Sequence, residues 1–257
     1  MTKIVSIFNQ KGGVGKTTTN INLSTAVASL GYKVLIVDGD PQGNTTSGIG
    51  IERDSFENSL YDGMVDEMPF EDIVMPTNHK NLDIIPSNPD LAGAEIELTN
   101  RKDRELRLRA FLKKGAQSYD YVFIDCPPSL GLISLNALAA SHSVLIPIQC
   151  EYYALEGVSQ LMNTINLVKK SLNHSLEIEG IVLTMFDGRT NLSMQVVDEV
   201  CGFFGNKVYK TVIPRNVRLA EAPSHGLTIM DYDQKSKGAQ AYQALAKEFV
   251  KRNGGRS

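Results

Sequence analysis

The sequence predicts an α/β fold, in which a mostly parallel twisted sheet carries helices on both faces. Short apolar runs of strand length alternate with segments of helical periodicity along almost the whole chain of 257 residues, and this alternation is typical of parallel sheets. The runs KIVSIF, KVLIVD and YVFID contain few polar residues, as expected for strands that are buried on both faces. The expected strands are Lys3–Phe8, Lys33–Asp38, Leu82–Pro86, Tyr121–Asp125, Val144–Pro147, Glu179–Met185 and Val208–Ile213.

The helical segments lie between these strands. The first follows a glycine-rich turn and ends before Gly31, because glycine commonly terminates a helix. No linker separates two units, so we expect a single domain over residues 1–257. Because the first strand begins at Lys3, we expect no helix-turn-helix domain ahead of it. The expected helices are Thr17–Leu30, Arg104–Ala116, Leu130–Ala140, Leu155–Leu172, Leu192–Phe204 and Ala239–Arg252.

The turn between the first strand and the first helix carries a phosphate-loop motif. It reads Gln10-Lys11-Gly12-Gly13-Val14-Gly15-Lys16-Thr17-Thr18. The ordinary pattern is G-x-x-x-x-G-K-[ST], but here Gln10 takes the first glycine position and a second lysine, Lys11, follows it. Backbone N–H groups of such a loop bind phosphate oxygens at a helix N-terminus. We expect Lys16 to contact the β- and γ-phosphates and Thr17 to bind Mg²⁺. The sequence therefore predicts a P-loop NTPase of the deviant Walker A type, with residues 11–18 on the nucleotide.

Two carboxylates follow other strands at the same edge of the sheet. Asp125 ends an apolar strand just before two prolines, which is the Walker B arrangement that holds Mg²⁺ through a water. Asp40 follows the second strand in the segment DGDPQGN. We expect Asp40 to orient the attacking water or a water bound to Mg²⁺; the alternative is a turn built from Asp, Pro and Gly. The next residue after the Walker B strand, Cys126, is expected to be a small buried residue and not a nucleophile.

Composition excludes several classes of protein. The chain is 42% hydrophobic and 21% charged with a net charge of −3, which is ordinary for a globular protein. No apolar segment reaches the length of a membrane span, and the N-terminal residues do not resemble a signal peptide. Its three cysteines are widely spaced, so we expect a cytoplasmic protein without disulfide or zinc frameworks. The four histidines show no metal-ligand spacing. From residue 207 onward, ten Lys and Arg face four Asp and Glu, which suggests a polyanion-binding face or a solvated helix.

The motifs together resemble the ParA/Soj family of chromosome- and plasmid-partitioning ATPases. The resemblance rests on KGGVGKTT, DGDPQGN, FIDCPPS, QCEYYALEG, TMFDGRTN and VIPRNVRLAEAPS, which span nearly the whole chain. It implies ATP and Mg²⁺ as cofactors, slow hydrolysis by the unstimulated protein, and an ATP-dependent sandwich dimer in which Lys11 reaches the partner's ATP. It also places Pro214 and Asn216 beside the adenine. One departure is Gly39, where members commonly carry an apolar residue.

The resemblance further implies binding to DNA and to a partner protein. The dimer would bind double-stranded DNA without reading its sequence, on the nucleoid, and a ParB-type centromere-binding protein would stimulate hydrolysis and release. Arg189 and Arg218 match positions that the family uses for DNA, and Lys235, Lys237 and Lys247 would extend the patch. Pooled positive charge suffices for such binding. The alternative for both arginines is surface ion pairing.

Two relatives with the same phosphate loop remain as alternatives. A membrane-associated positioning ATPase like MinD needs a C-terminal amphipathic helix that inserts into lipid. The last predicted helix instead has the ordinary stripe of a core-facing helix, and the residues after it contain no bulky apolar side chain; we therefore expect no membrane partner. An iron–sulfur protein like nitrogenase reductase needs cysteines that bridge a dimer, and Cys126 beside the metal aspartate is poorly suited to that.

Overall fold

A seven-stranded sheet organises the chain in the computed structural model, which describes residues 2–151 and 156–255. The strand order is β3-β4-β2-β5-β1-β6-β7, and every neighbouring pair is parallel except β3 with β4. This confirms the predicted mostly parallel α/β fold. The strands are β1 Lys3–Ile7, β2 Val34–Asp38, β3 Met75–Pro76, β4 Leu82–Ile85, β5 Tyr121–Asp125, β6 Ser143–Gln149 and β7 Glu177–Thr184.

Helices follow most strands and cover both faces of the sheet. The first, after the glycine-rich turn, ends at Ser29, and Gly31 follows in the left-handed conformation with φ 93°. The helices of the described residues are α1 Lys16–Ser29, α2 Asn44–Gly48, α3 Leu60–Met64, α4 Ala94–Glu97, α5 Arg107–Gly115, α6 Leu132–Ala140, α7 Glu156–Ser171, α8 Asn191–Phe204, α9 Val217–Glu221, α10 Ile229–Tyr232 and α11 Lys237–Arg252. Short 3-10 turns connect several of them.

Two apolar cores lie on opposite sides of the sheet. Side chains alternate between the faces along each strand, so in β5 Val122 and Ile124 pack into one core while Tyr121 and Phe123 pack into the other. Residues of α5, α6 and α7 complete the first core, and residues of α1 and α11 complete the second. The strands are therefore buried on both faces, as their uninterrupted apolar composition predicts.

Parallel registration brings several polar loops to one edge of the sheet. Ile7 at the end of β1 and Asp38 at the end of β2 both pair with Asp125 at the end of β5. The glycine-rich turn, the segment around Asp40 and the prolines after β5 therefore leave the sheet together. Ligands of open parallel sheets bind at this carboxyl edge.

The structure corrects one predicted strand and adds an edge strand. The segment Val208–Ile213 runs beside β7 but does not form a continuous strand. Isolated bridges join Val208 to Ile181 and Pro214 to Phe186, and the N–H groups of Tyr209 and Ile213 donate to the carbonyl oxygens of Ile181 and Leu183. The apolar side chains of Val208, Tyr209 and Ile213 are buried. The antiparallel edge strand Met75–Pro76 was not predicted, since two residues carry no periodicity. The start of the predicted helix Leu155–Leu172, and Tyr152, Tyr153 and Ala154 of QCEYYALEG, lie outside the described residues.

Candidate functional site

The phosphate loop forms an open concavity between β1 and α1. Gly13 and Gly15 adopt left-handed conformations with φ of 73° and 87°, which glycine reaches at little cost. A Cβ atom at Gly12 or Gly13 would meet nothing within 4 Å. The hydroxyl of Thr184 donates to the carbonyl oxygen of Val14 at 2.8 Å and holds the loop against β7. The loop thus presents its backbone to a space that has room for a phosphate group.

Lys16 is held at the base of this concavity. It is only 7% exposed, and its Nζ donates to the carbonyl oxygen of Lys11 at 3.2 Å. Burial lowers the pKa of Lys16, and the charges of Asp125 and Asp40 oppose that shift. A desolvated ammonium group with one backbone partner is well suited to pair with an anion.

Asp125 and two threonine hydroxyls form a compact oxygen cluster beside Lys16. The hydroxyls of Thr17 and Thr45 donate to Asp125 Oδ2 at 2.7 and 2.8 Å. The other carboxylate oxygen, Oδ1, is buried and has no hydrogen-bond partner among the described residues. Burial raises the pKa of Asp125 to about 6, although both threonine hydrogen bonds lower it. A buried carboxylate oxygen with an unused lone pair, next to a hydroxyl on the phosphate loop, fits Mg²⁺, which prefers such oxygen ligands and keeps several waters.

Asp38 anchors the loop that carries Asp40. One oxygen of Asp38 accepts from the backbone N–H and the hydroxyl of Thr46, at 2.8 and 2.7 Å, and the other accepts from the Asp40 N–H at 3.1 Å. Burial, and then the charge of Asp125, raise the pKa of Asp38 to about 7. A Cβ at Gly39 would lie 2.5 Å from the Asp125 carbonyl oxygen, so glycine lets this loop approach β5 closely.

Asp40 reaches the cleft and also closes a turn. Its carboxylate is partly exposed and accepts from the Gln42 N–H at 3.0 Å, which is the local turn that the alternative interpretation predicts. The same residue lines a cavity of about 660 Å³ together with Lys16, Thr17 and the prolines after Asp125. The structure therefore brings Asp40 to the predicted cleft, and the turn holds its carboxylate there.

A second, more apolar cavity of about 360 Å³ adjoins the cleft. Pro214 and Asn216 line it, as the resemblance implies for an adenine site, and it shares Gly15, Thr18 and Met185 with the larger cavity. Asn216 also accepts from the Arg218 N–H at 2.9 Å, which caps α9. The two cavities together offer a polar end for phosphates and an apolar end for a flat ring system.

Lys11 lies at the rim of the loop and not inside the cleft. Its side chain is 41% exposed, and its Nζ is 4.0 Å from Glu151 Oε2. Glu151 also lies 3.5 Å from Arg215. The backbone of Lys11 thus contacts Lys16, but its ammonium group does not line the larger cavity and remains accessible to a second molecule.

The predicted DNA-binding residues fall into two groups. Arg189 is 88% exposed and donates to both carboxylate oxygens of Asp187, at 2.9 and 2.7 Å; these bonds hold the pKa of Asp187 well below its usual range. Arg218 pairs with Glu221 at 2.9 Å. Both arginines thus make the surface ion pairs that the alternative predicts. Lys235, Lys237 and Lys247 are exposed, and none makes an ion pair with another described residue.

Sequence reasoning missed three contributors to the site. Thr45, Thr46 and Thr184 hold Asp125, Asp38 and the phosphate loop, respectively. Thr45 and Thr46 directly follow DGDPQGN, and Thr184 is the first residue of TMFDGRTN; threonine is common in such places, so position alone did not indicate their contacts. Cys126 is buried with its pKa raised by burial and the charge of Asp125, which agrees with the small buried residue predicted.

Comparison with known proteins gives three consistent matches. A family model described as an AAA domain, AAA_31, matches residues 2–178. The chain is 59% identical over 250 residues to the sporulation initiation inhibitor protein Soj of Bacillus subtilis, covering 97% of this chain and 99% of that protein. It is 55% identical over 251 residues to the chromosome partitioning protein ParA of Myxococcus xanthus, covering 98% and 89%.

A solved structure shares the fold and holds ligands that suit the cleft. Cobyrinic acid a,c-diamide synthase from Mycobacterium smegmatis, with bound ADP and magnesium, superposes with a TM-score of 0.84 at 37% identity, covering 96% of this chain and 93% of that one. None of the helices among residues 2–151 and 156–255 is long and apolar enough to cross a membrane.

Proposed function

Because this chain belongs to the ParA/Soj family of chromosome-partitioning ATPases, we propose that it hydrolyses ATP with Mg²⁺ to control its attachment to DNA during segregation. The observation that carries the proposal is the oxygen cluster beside the phosphate loop: a buried Asp125 oxygen that has no partner within residues 2–151 and 156–255, next to Thr17 and the desolvated Lys16. The ADP and magnesium bound to the similar synthase structure support the same ligands here.

The residues of the cleft divide the chemistry of ATP hydrolysis between them. The phosphate loop and Lys16 bind the phosphates, and Lys16 stabilises the negative charge that grows on the transferred phosphoryl group. Thr17 and Asp125 would hold Mg²⁺, which would supply further positive charge to the phosphates. Asp40, which lines the same cavity, orients the attacking water, and Pro214 and Asn216 hold the adenine.

Dimerisation supplies the group that a single cleft lacks. Lys11 lies at the exposed rim of its own loop, so we infer that it contacts the phosphates of ATP bound to a second subunit. A cation supplied in this way contributes roughly 10³ to 10⁵ to the rate in related phosphoryl transfer reactions. ATP would therefore link two subunits in a sandwich dimer, and hydrolysis would separate them.

The chain has a net charge of −3, which by itself opposes binding to DNA. Dimerisation would overcome this by bringing two sets of basic residues together. Arg189 lies in the turn after Phe186, and Arg218 lies in α9 after Pro214; an isolated bridge joins Phe186 to Pro214. The basic C-terminal region adds Lys235, Lys237 and Lys247. A dimer doubles this positive patch, which binds phosphates without reading bases. We propose that DNA holds the dimer on the nucleoid of the cytoplasm until a ParB-type partner stimulates hydrolysis.

A membrane-associated role like that of MinD receives less support. Tyr242, Leu245, Phe249 and Val250 on α11 are all buried against the second core. The apolar face of this helix is therefore already covered and is not available to insert into lipid.

A binding and turnover assay tests the proposed activity. The wild-type chain should bind ATP with Mg²⁺ and release phosphate slowly, and DNA with a ParB-type protein should accelerate release. Lys16→Ala should abolish ATP binding, because the desolvated ammonium group supplies the main charge partner of the phosphates. Lys33→Ala, which changes an exposed lysine away from the cleft, should behave as wild type. Tight ATP binding by Lys16→Ala would refute the assignment of this loop.

A further inference from the structure

A large cavity lies at the amino-terminal edge of the sheet, opposite the phosphate loop. Its volume is about 870 Å³, which exceeds that of either cavity at the nucleotide cleft. The start of β1, the ends of α5 and α6, and residues 172–175 after α7 surround it. It shares no lining residue with the two cavities of the cleft, so a ligand in it would be separate from ATP.

The charge of this cavity contrasts with that of the chain. Arg109, Lys113, His142 and His174 line it, and none of the described residues that line it is acidic. The whole chain carries a net charge of −3. Lys113 and His174 are exposed to solvent, and neither belongs to an ion pair among the described residues. Their polar groups are therefore free to contact a ligand, and the lack of acidic groups in the described lining favours an anion.

Two of the basic side chains are held in place by the backbone. Arg109 donates from Nε to the Ala139 carbonyl oxygen at 2.8 Å, and its Nη2 donates to the same atom, so the guanidinium group is fixed at the end of α6. His142 accepts at Nδ1 from the Ile4 N–H at 2.9 Å, and its neutral ring therefore carries its proton on Nε2. Burial, with the charges of Lys3 and Arg109, lowers the pKa of His142. The cavity thus holds fixed hydrogen-bond donors.

The remaining wall of the cavity is apolar. Leu112, Leu172 and the neighbouring alanines Ala116 and Ala140 contribute it. The volume falls in the range of roughly 300 to 1,000 Å³ that is usual for small-molecule sites. We propose that this cavity binds a small amphiphilic anion, with its head group on Arg109, Lys113 and the two histidines and its apolar body against the leucines. This proposal does not depend on the proposed ATPase function.

Calorimetry with a simple amphiphilic anion tests the site. Octanoate, kept below its micelle concentration, should bind the full chain with a stoichiometry of one in the presence of saturating ATP and Mg²⁺. Octanol, which lacks the charge, and inorganic phosphate, which lacks the apolar body, should each bind at least about tenfold more weakly, since a hydrogen bond to a charged group is lost or apolar burial is lost. Equal binding of octanol, or loss of octanoate binding when ATP is added, would overturn the proposal.

Matched variants locate the binding. Lys113→Gln combined with His174→Gln removes two exposed cavity side chains and should weaken octanoate binding at least about tenfold. Lys114→Gln changes the next lysine of α5, which is exposed but does not line the cavity, and should leave binding unchanged. In the wild-type chain, octanoate should shift the imidazole NMR signals of His142 and His174. Unchanged affinity in the double variant, or unshifted histidine signals, would show that octanoate binds elsewhere.

Discussion

Two buried carboxylates side by side dominate the electrostatics of the cleft at the residue scale. Asp38 and Asp125 pair in register on adjacent strands, and both are fully buried. Three hydrogen-bond donors satisfy Asp38, whereas one oxygen of Asp125 has no partner in the described part of the chain. This difference in hydrogen bonding suits Asp38 as a structural anchor and Asp125 as a metal ligand. A cation bound to Asp125 would relieve the repulsion between the two carboxylates.

The titration of Asp38 predicts a pH-dependent stability of the ATP-free protein. Its folded pKa of about 7 lies above the usual aspartate value of 3.8, so its contribution to stability is complete below that lower value and is lost as the pH rises through about 7. Asp38→Asn removes this titration. As the pH rises from 3.8 to about 7, the difference in unfolding free energy between variant and wild type should move in favour of the variant, as measured by urea denaturation. Asp54→Asn, at an exposed position, is the control; a constant difference for Asp38→Asn would contradict the raised pKa.

A single experiment distinguishes the two interpretations of Asp40. As the group that orients water, its loss in Asp40→Ala should lower the rate of phosphate release by roughly 10²-fold or more while ATP-dependent dimerisation remains. As a turn residue alone, its loss should affect stability and leave turnover intact. Phosphate release and light scattering on the same sample measure both properties. Turnover at the wild-type rate would make the bond to the Gln42 N–H its only role.

Elements with a strong local pattern were predictable from the sequence. The phosphate loop, α1 and the strand ending in Asp125 lie where their glycines, lysine and apolar runs indicate, because each pattern depends on residues close together in the chain. The predicted strand Val208–Ile213 was wrong because the segment pairs with β7 only at isolated points, and an apolar pattern does not show whether backbone pairing is continuous. The hydrogen bond from Thr45 to Asp125 joins residues 80 positions apart, and no local pattern reports it. The single domain stays a prediction.

The phosphate loop also leads to a prediction about how ATP binding controls dimerisation. Lys11 has a weak partner in its own subunit, at 4.0 Å from Glu151, and such exposed pairs contribute little. Lys11→Ala should therefore bind ATP as wild type does, yet stay monomeric in sedimentation with ATP and lose roughly 10³-fold or more of the stimulated rate. Lys33→Ala is again the matched control. A normal ATP-dependent dimer of Lys11→Ala would show that the second lysine acts within its own subunit.

At the scale of the whole molecule, the distribution of charge matters more than its sum. The region from residue 207 is basic while the complete chain carries −3, so the C-terminal region favours polyanions and the rest of the chain disfavours them. In the single chain, Arg189 and Arg218 are paired with Asp187 and Glu221. Exposed pairs of this kind are screened and weak, and closely spaced DNA phosphates compete with them most effectively when two patches act together in a dimer.

This charge distribution predicts how DNA binding responds to salt. Each phosphate contact contributes a slope of about −0.9 in the logarithm of affinity against the logarithm of salt concentration. Arg189→Ala or Arg218→Ala should retain the ATP-dependent dimer, lower DNA affinity, and reduce that slope by about two, since both subunits lose a contact. Lys114→Ala removes one exposed cation on α5, across the sheet from α11, and should leave the slope unchanged. Fluorescence anisotropy with duplexes of unrelated sequence measures the slope. If both arginine variants keep the wild-type affinity and slope, the ion pairs with Asp187 and Glu221 are their whole role and DNA binds another surface.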